Sequence, residues 1–125
     1  SVAQMVDHVL ALPEDTKLMI LAPVVAGRKG EQLDLFAELR AQGFVRLRVD
    51  GKVHDIDALP RLAKNSKHSI DVVVDRLKVR ADARQRLAES FETALTHADG
   101  RAVAVDMDAG AEHLFSARFS CPVCS

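Results

Sequence analysis

The stretch "FVRLRVDGKVHDI", residues 44–56, decides the fold. Asp50-Gly51 is a two-residue hairpin turn pair, and apolar and polar residues alternate on both sides of it. Alternation puts Val45, Leu47 and Val49 on one face of a sheet and Phe44, Arg46 and Arg48 on the other. A two-residue turn sets Arg46 opposite Asp55 and Arg48 opposite Val53. An exposed Arg46–Asp55 pair contributes well under about 1 kcal/mol.

Outward from the hairpin, the pattern alternates between the two periods of regular structure. Upstream, "VAQMVDHVLAL" (2–12) spaces Val2, Met5, Val6, Val9 and Leu10 as one helix face, and Pro13 stops it. "KLMILAPVV" reads as a buried strand and "AGRKGE" as a loop. In "EQLDLFAELRAQG", Gln32, Leu35, Phe36 and Leu39 share a helix face, with Gly43 as the C-terminal cap. Downstream, "ALPRLAKNSK" (58–67) is a polar connector. "HSIDVVVDRLKVR" is a long strand, buried at its centre and charged towards its ends. "ADARQRLAESFETALTHADG" is the strongest helix, with Ala83, Leu87, Phe91, Ala94, Leu95 and Ala98 in one stripe. Asp82 and Gln85 resemble a capping box, and Gly100 ends the helix. "RAVAVDM" and "HLFSARF" are two further strands. Neighbouring strands are joined too tightly to be parallel. The expected class is α+β (mixed α/β), a largely antiparallel sheet with two to three helices packed against it.

The 125 residues fit one domain, and 48% apolar residues suffice for a core. A net charge of −1 argues against a protein whose only task is to coat phosphate. The absence of Trp and Tyr removes most of the usual stacking platform for single-stranded nucleic acid. The longest apolar run, "LMILAPVVA" (18–26), is nine residues and holds Pro23, against roughly 20 for a membrane span. The composition and the missing signal peptide suit a soluble cytoplasmic protein.

Four groups of residues carry possible chemistry. Cys121 and Cys124 are the only cysteines, at C-x-x-C spacing beside the last residue. A structural zinc takes four ligands, and no second local motif supplies the other two. Half of a truncated zinc module, a redox pair and bystander thiols are the three readings. "AGRKGE" fails as a phosphate loop, since only two residues separate its glycines. Arg28 and Lys29 beside a helix start could meet an anion, or sit in a plain solvated loop. Arg46, Arg48, Arg76, Lys78 and Arg80 lie on strands. They are either rigidly held anchors for carboxylates or a solvated face with local ion pairs. Asp71, Asp75, Asp106 and Asp108 have no spacing that defines a catalytic or metal cluster. No nucleophile elbow, metal helix motif or glycine fingerprint is present, so an enzyme is not expected.

The stretches "SVAQMVDHVLALPE", "LMILAPVV…RKGE", "VRLRVDG", "KHSIDVVVDRLKVR", "QRLAESFETAL" and "LFSARFSCPVC" run from end to end. Taken together, they resemble the UvrB-interaction domain of the UvrA family, ABC-type ATPases of bacterial nucleotide excision repair. The resemblance implies a single domain inserted in the first nucleotide-binding module. Residues 1–14 would be a stalk helix linking to the ATPase body, 15–119 the interaction domain, and 120–125 the first half of a zinc module. It implies docking onto domain 2 of UvrB, and onto the UvrB-like module of the transcription–repair coupling factor Mfd. By matching position, Arg46 and Arg76 are the implied anchors, with Arg48, Asp75 and Lys78 as neighbours. Cys121 and Cys124 would be half of a zinc site completed by a later C-x-x-C. Walker A, Walker B and signature motifs are missing, so zinc and ATP belong to the full-length parent and no cofactor is expected here. The piece alone is expected to be monomeric. The alternative is an accessory DNA-contacting module, with Arg28, Lys29, Lys64, Lys67, Arg80 and Arg84 forming a stripe.

Overall fold

In the computed structural model, which describes residues 1–117, the hairpin falls where its sequence puts it. Strand β2 (Arg46–Val49) and strand β3 (Lys52–Asp55) pair antiparallel around Asp50-Gly51. Both turn residues have positive φ, 50° and 86°, which matches the twist of a tight hairpin. Arg46 faces Asp55 and Arg48 faces Val53, as the alternation requires. Val45 lies just outside β2 and is exposed rather than inward. Its carbonyl accepts from the Ile56 N–H, closing the base of the hairpin.

The other elements are helix α1 (Val2–Leu10), strand β1 (Lys17–Lys29), helix α2 (Leu33–Ala41), strand β4 (Lys67–Lys78), helix α3 (Arg84–His97), strand β5 (Arg101–Asp106) and strand β6 (Glu112–Ser116). They build one six-stranded sheet in the order β3-β2-β4-β1-β5-β6, with every pairing antiparallel. The α+β expectation holds. The order has a simple origin. The α2 crossover carries the chain from β1 to β2 past β4, and the α3 crossover carries it from β4 to β5 past β1. Each is a split β-α-β unit, and the two interlock.

All three helices feed one core. Met5, Val6 and Val9 of α1, Phe36 and Leu39 of α2, and Leu87, Phe91 and Ala94 of α3 meet Leu18, Ile20, Leu47, Ile70 and Val72 of the sheet. Helix α1 is thus part of this core and not a free arm. Helix α2 ends in a Schellman motif. Gly43 at φ 91° lets the Phe44 N–H reach the Leu39 carbonyl and its own N–H reach Arg40. No helix among the described residues is long and apolar enough to cross a membrane.

Two local expectations need correction. "AGRKGE" is not a loop up to its end, because β1 continues through Lys29. Register shifts near Pro23 and Val25 absorb the irregular residues and let pairing resume at Arg28 and Lys29. The Asp82/Gln85 capping box does not form. A 3-10 turn over Ala81–Ala83 moves the helix start to Arg84, so Ala83 is the N-cap and Asp82 lies outside the capping position.

Candidate functional site

The face of the sheet opposite the helices carries most of the strand-borne cations. Cross-strand partners share a face, so the register places each side chain. Met19, Leu21, Val73, Val103 and Val105 form a second apolar cluster there, all under one-tenth exposed. No helix among the described residues belongs to this cluster. Part of the cover is Arg48. Its Nε donates to Asp71 Oδ2 at 2.8 Å, and its Nη2 donates to Glu112 Oε1 at 3.1 Å. Arg48 is on β2 and Glu112 on β6, with β4, β1 and β5 between. Four strand spacings in a flat sheet span about 19 Å. The sheet therefore curls around this face, and Arg48 ties its two sides together over the apolar floor.

The tie is largely dry, with the Arg48 and Asp71 side chains 15% and 10% exposed. Burial works against the Arg48 charge, but the Glu112 and Asp71 carboxylates outweigh it and hold its pKa above the ordinary value. Burial pushes the Asp71 carboxyl up, and Arg48 offsets only part of that. Arg48 is thus an internal brace, with little of its fork left for an outside partner.

A β-bulge decides what else reaches this face. Leu21 pairs with Val73 and Ile20 with Asp75, which leaves Val74 as the extra residue on β4. Unbroken alternation from Val73 would place Asp75 and Leu77 on the open face. The bulge flips the count and places Arg76 and Lys78 there, opposite Met19 and Lys17. Asp75 turns to the helix side instead. It accepts from Arg86 Nε at 2.9 Å, Arg86 Nη2 at 2.7 Å and Ser90 Oγ at 2.8 Å. Burial opposes the Asp75 charge, yet Arg86 and Ser90 overcome it and lower its pKa. The structure does not bring Asp75 together with the arginines of the open face.

Arg46 and Arg76 remain available. Arg46 approaches Asp55 only at 3.9 Å and its side chain is 40% exposed. Arg76 is exposed and in no ion pair among the described residues. Lys78 is exposed and sits directly opposite Lys17, a neighbour that the sequence reading passed over. Glu112 was also missed. No local pattern marks it, since its role depends on the curl of the sheet.

The six cations of the proposed stripe do not form one. Lys29 and Lys67 face each other at one end of the β1–β4 ladder, Arg28 is paired with His68 on the opposite face, and Lys64 lies in the connector before β4. Arg80 lies past the other end and is bound to Asp15 at 3.2 Å, and Arg84 is bound to Asp7 at 2.8 Å. The thirteen residues of β1 put about 40 Å between the two ends. Among the described residues no three His, Cys, Asp or Glu side chains are grouped to hold a metal. Cys121 and Cys124 lie outside the described residues.

Fold and face define a class: an α+β module with a curled sheet face, free of helices among the described residues, that presents cations from strands. Residues 1–108 match the family described as the UvrA interaction domain, and the chain belongs to that family. It is 66% identical over its full length to UvrABC system protein A of Neisseria meningitidis serogroup A, 65% identical over 99% of its length to that of Pseudomonas aeruginosa, and 54% identical over 99% to that of Xanthomonas axonopodis. The chain spans 13% of the length of each of these relatives.

Proposed function

We propose that this chain is the docking module through which a UvrA protein engages UvrB and loads it at damaged DNA in nucleotide excision repair. The UvrB-like module of Mfd would compete for the same surface. The module recruits and does no chemistry itself. One observation carries the reading: Arg46 and Arg76 stand on regular strands of a face that no other element of the described chain covers. A strand fixes the base of each side chain, so the guanidinium fork meets a partner carboxylate with little ordering cost. The test is a calorimetric titration with purified UvrB domain 2 at low and moderate salt. Saturable binding, weakened by salt and by Arg46→Ala or Arg76→Ala, supports docking and its site. No binding by the folded chain rejects it.

A second reading rests on the far end of the same ladder. Lys29 and Lys67 are direct partners there. Like charges so placed repel unless an anion lies between them. Contact with the DNA backbone from this end predicts a salt-dependent affinity for duplex DNA that Lys67→Gln reduces.

A further inference from the structure

The other end of the β1–β4 ladder repeats this conflict in a different setting. Lys17 and Lys78 are direct cross-strand partners on the open face. Their Cβ atoms lie about 5 Å apart by the geometry of such pairs, and like charges at that spacing destabilise a sheet. Several arginines of the fold are neutralised by an acidic neighbour, whereas no lysine among the described residues is. Arg40 has Asp57, Arg80 has Asp15, Arg84 has Asp7 and Arg86 has Asp75. Lys17 and Lys78 have no such partner among the described residues, and neither has Arg76, which shares their face. Three unneutralised cations therefore sit side by side.

Their setting is also apolar. Lys17, Arg76, Leu77, Lys78 and Met107 line an open cavity of about 340 Å³. Met107 is 42% exposed, one of few large apolar side chains left in water. Its N–H donates to the Lys17 carbonyl at 2.8 Å, which fixes it beside the lysine pair.

We propose that this corner is a second contact of the docking face. It receives an acidic side chain of the protein partner between Lys17 and Lys78, while an apolar neighbour of that side chain covers Met107. The inference rests on the docking reading above. A protein fits better than a nucleic acid backbone for two reasons. A thioether adapts to side chains of varied shape and gives a phosphate chain nothing. Three cations also make a small footprint against the six to ten phosphate contacts, roughly, of a strongly salt-dependent DNA binder.

The partner's carboxylate would relieve the Lys17–Lys78 repulsion, so the two lysines oppose the free fold and favour the complex. A lysine kept for stability would show the reverse. The experiment compares the parent chain with Lys17→Gln, Lys78→Gln, Met107→Ser and Arg46→Ala. Each is titrated with purified UvrB and, separately, with duplex DNA at low and moderate salt. The thermal midpoint of each free chain is recorded. Either lysine change is expected to weaken UvrB binding about five-fold at low salt, less at moderate salt, with the free chain as stable as the parent or more so. Met107→Ser is expected to weaken UvrB binding and leave DNA unaffected. If Arg46→Ala weakens UvrB binding while both lysine variants bind within about two-fold of the parent, docking stands and this contact is discarded. If the lysine changes reduce duplex DNA binding instead, the corner serves nucleic acid and the proposal is overturned. If the parent itself does not bind UvrB, the docking reading falls and takes the contact with it.

Discussion

Arg48 and Glu112 meet at 3.1 Å although three strands separate the strands that carry them. The contact marks a sheet that has curled far enough to shelter apolar residues without a second helical layer. It also engages two nitrogens of the Arg48 guanidinium within the chain.

Arg48→Ala should therefore act on stability first. It opens the tie over Met19, Leu21 and Val103, and it leaves the Asp71 carboxylate buried without its cation. Removing one partner of a fully buried pair costs about 3–5 kcal/mol, and the residual exposure here lowers that to about 2–3 kcal/mol. The loss should shrink on acidification. Burial already raises the Asp71 pKa, the missing guanidinium raises it further, and a protonated Asp71 no longer pays for a buried charge. Urea unfolding at neutral and mildly acidic pH measures both effects. A variant within about 0.5 kcal/mol of the parent at neutral pH would show that Arg48 braces nothing.

His68 gives a second pH-dependent tie. Its Nδ1 lies 2.7 Å from Asp50 Oδ2 and its Nε2 lies 2.7 Å from the Ala63 carbonyl. Both neighbours are acceptors, so both ring nitrogens must carry a proton. Asp50 and the Ala63 carbonyl raise the His68 pKa, while His68 and the Ser69 N–H lower that of Asp50. The His68 contribution is complete below about pH 6.5 and is lost as pH rises through its higher folded value. The Asp50 contribution is complete above about pH 3.9 and is lost as pH falls through its lower folded value. The hairpin tip and the connector 58–66 should be held most firmly between these limits. The thermal midpoint of the parent should fall above pH 6.5 relative to that of His68→Ala. Parallel profiles from pH 5 to 9 would rule the tie out.

Asp75→Asn separates anchoring from docking. The carboxylate secures α3 through Arg86 and Ser90 on the helix side. Arg86 is more than half exposed, so the expected loss is about 1 kcal/mol. The lowered Asp75 pKa places this stabilisation above the ordinary aspartate value, to be lost as pH falls through the folded one. UvrB affinity should be unchanged. A loss of affinity at full stability would return Asp75 to the interface.

Gly100 was legible as a helix end, but only half of its reason was. At φ 84° it donates to the Leu95 carbonyl at 2.8 Å, and an added Cβ would lie 2.5 Å from the Ala117 carbonyl oxygen. Gly100→Ala thus combines a strained backbone with a clash against main chain. The expected cost is about 2–3 kcal/mol, read as a lower urea midpoint, whereas Gly43→Ala, with nothing near its Cβ, should cost about 1 kcal/mol.

What could be read in the sequence follows a physical division. Hairpin register was legible because Asp50-Gly51 and the alternation around it are local, and Arg46 does face Asp55. The apolar stripe of α3 was legible for the same reason. Hidden features arise where one extra residue or a distant strand decides. The unpaired Val74 reverses the facing of Asp75 and Arg76, and nothing in "VVVDRLK" distinguishes a bulge from a straight strand. The Arg48–Glu112 tie depends on curvature built up over five strands. Lys17 gained meaning only once register set it against Lys78.

Arg76 offers the sharpest contrast between fold and function. Its side chain forms no ion pair among the described residues, so Arg76→Ala should move stability by no more than about 0.5 kcal/mol. As a docking anchor desolvated on binding, it should cost about 2 kcal/mol of affinity for UvrB, roughly 30-fold. Arg76→Lys should recover little of this, because lysine keeps the charge and loses the fork that grips a carboxylate with two hydrogen bonds. Full recovery by lysine would make Arg76 a long-range steering charge. Its effect would then appear in the association rate and vanish at moderate salt, whereas loss of a paired fork speeds dissociation and persists. Stopped-flow association and dissociation rates for the parent, Arg76→Ala and Arg76→Lys at two salt concentrations separate these roles. Unchanged rates in both variants would remove Arg76 from the interface.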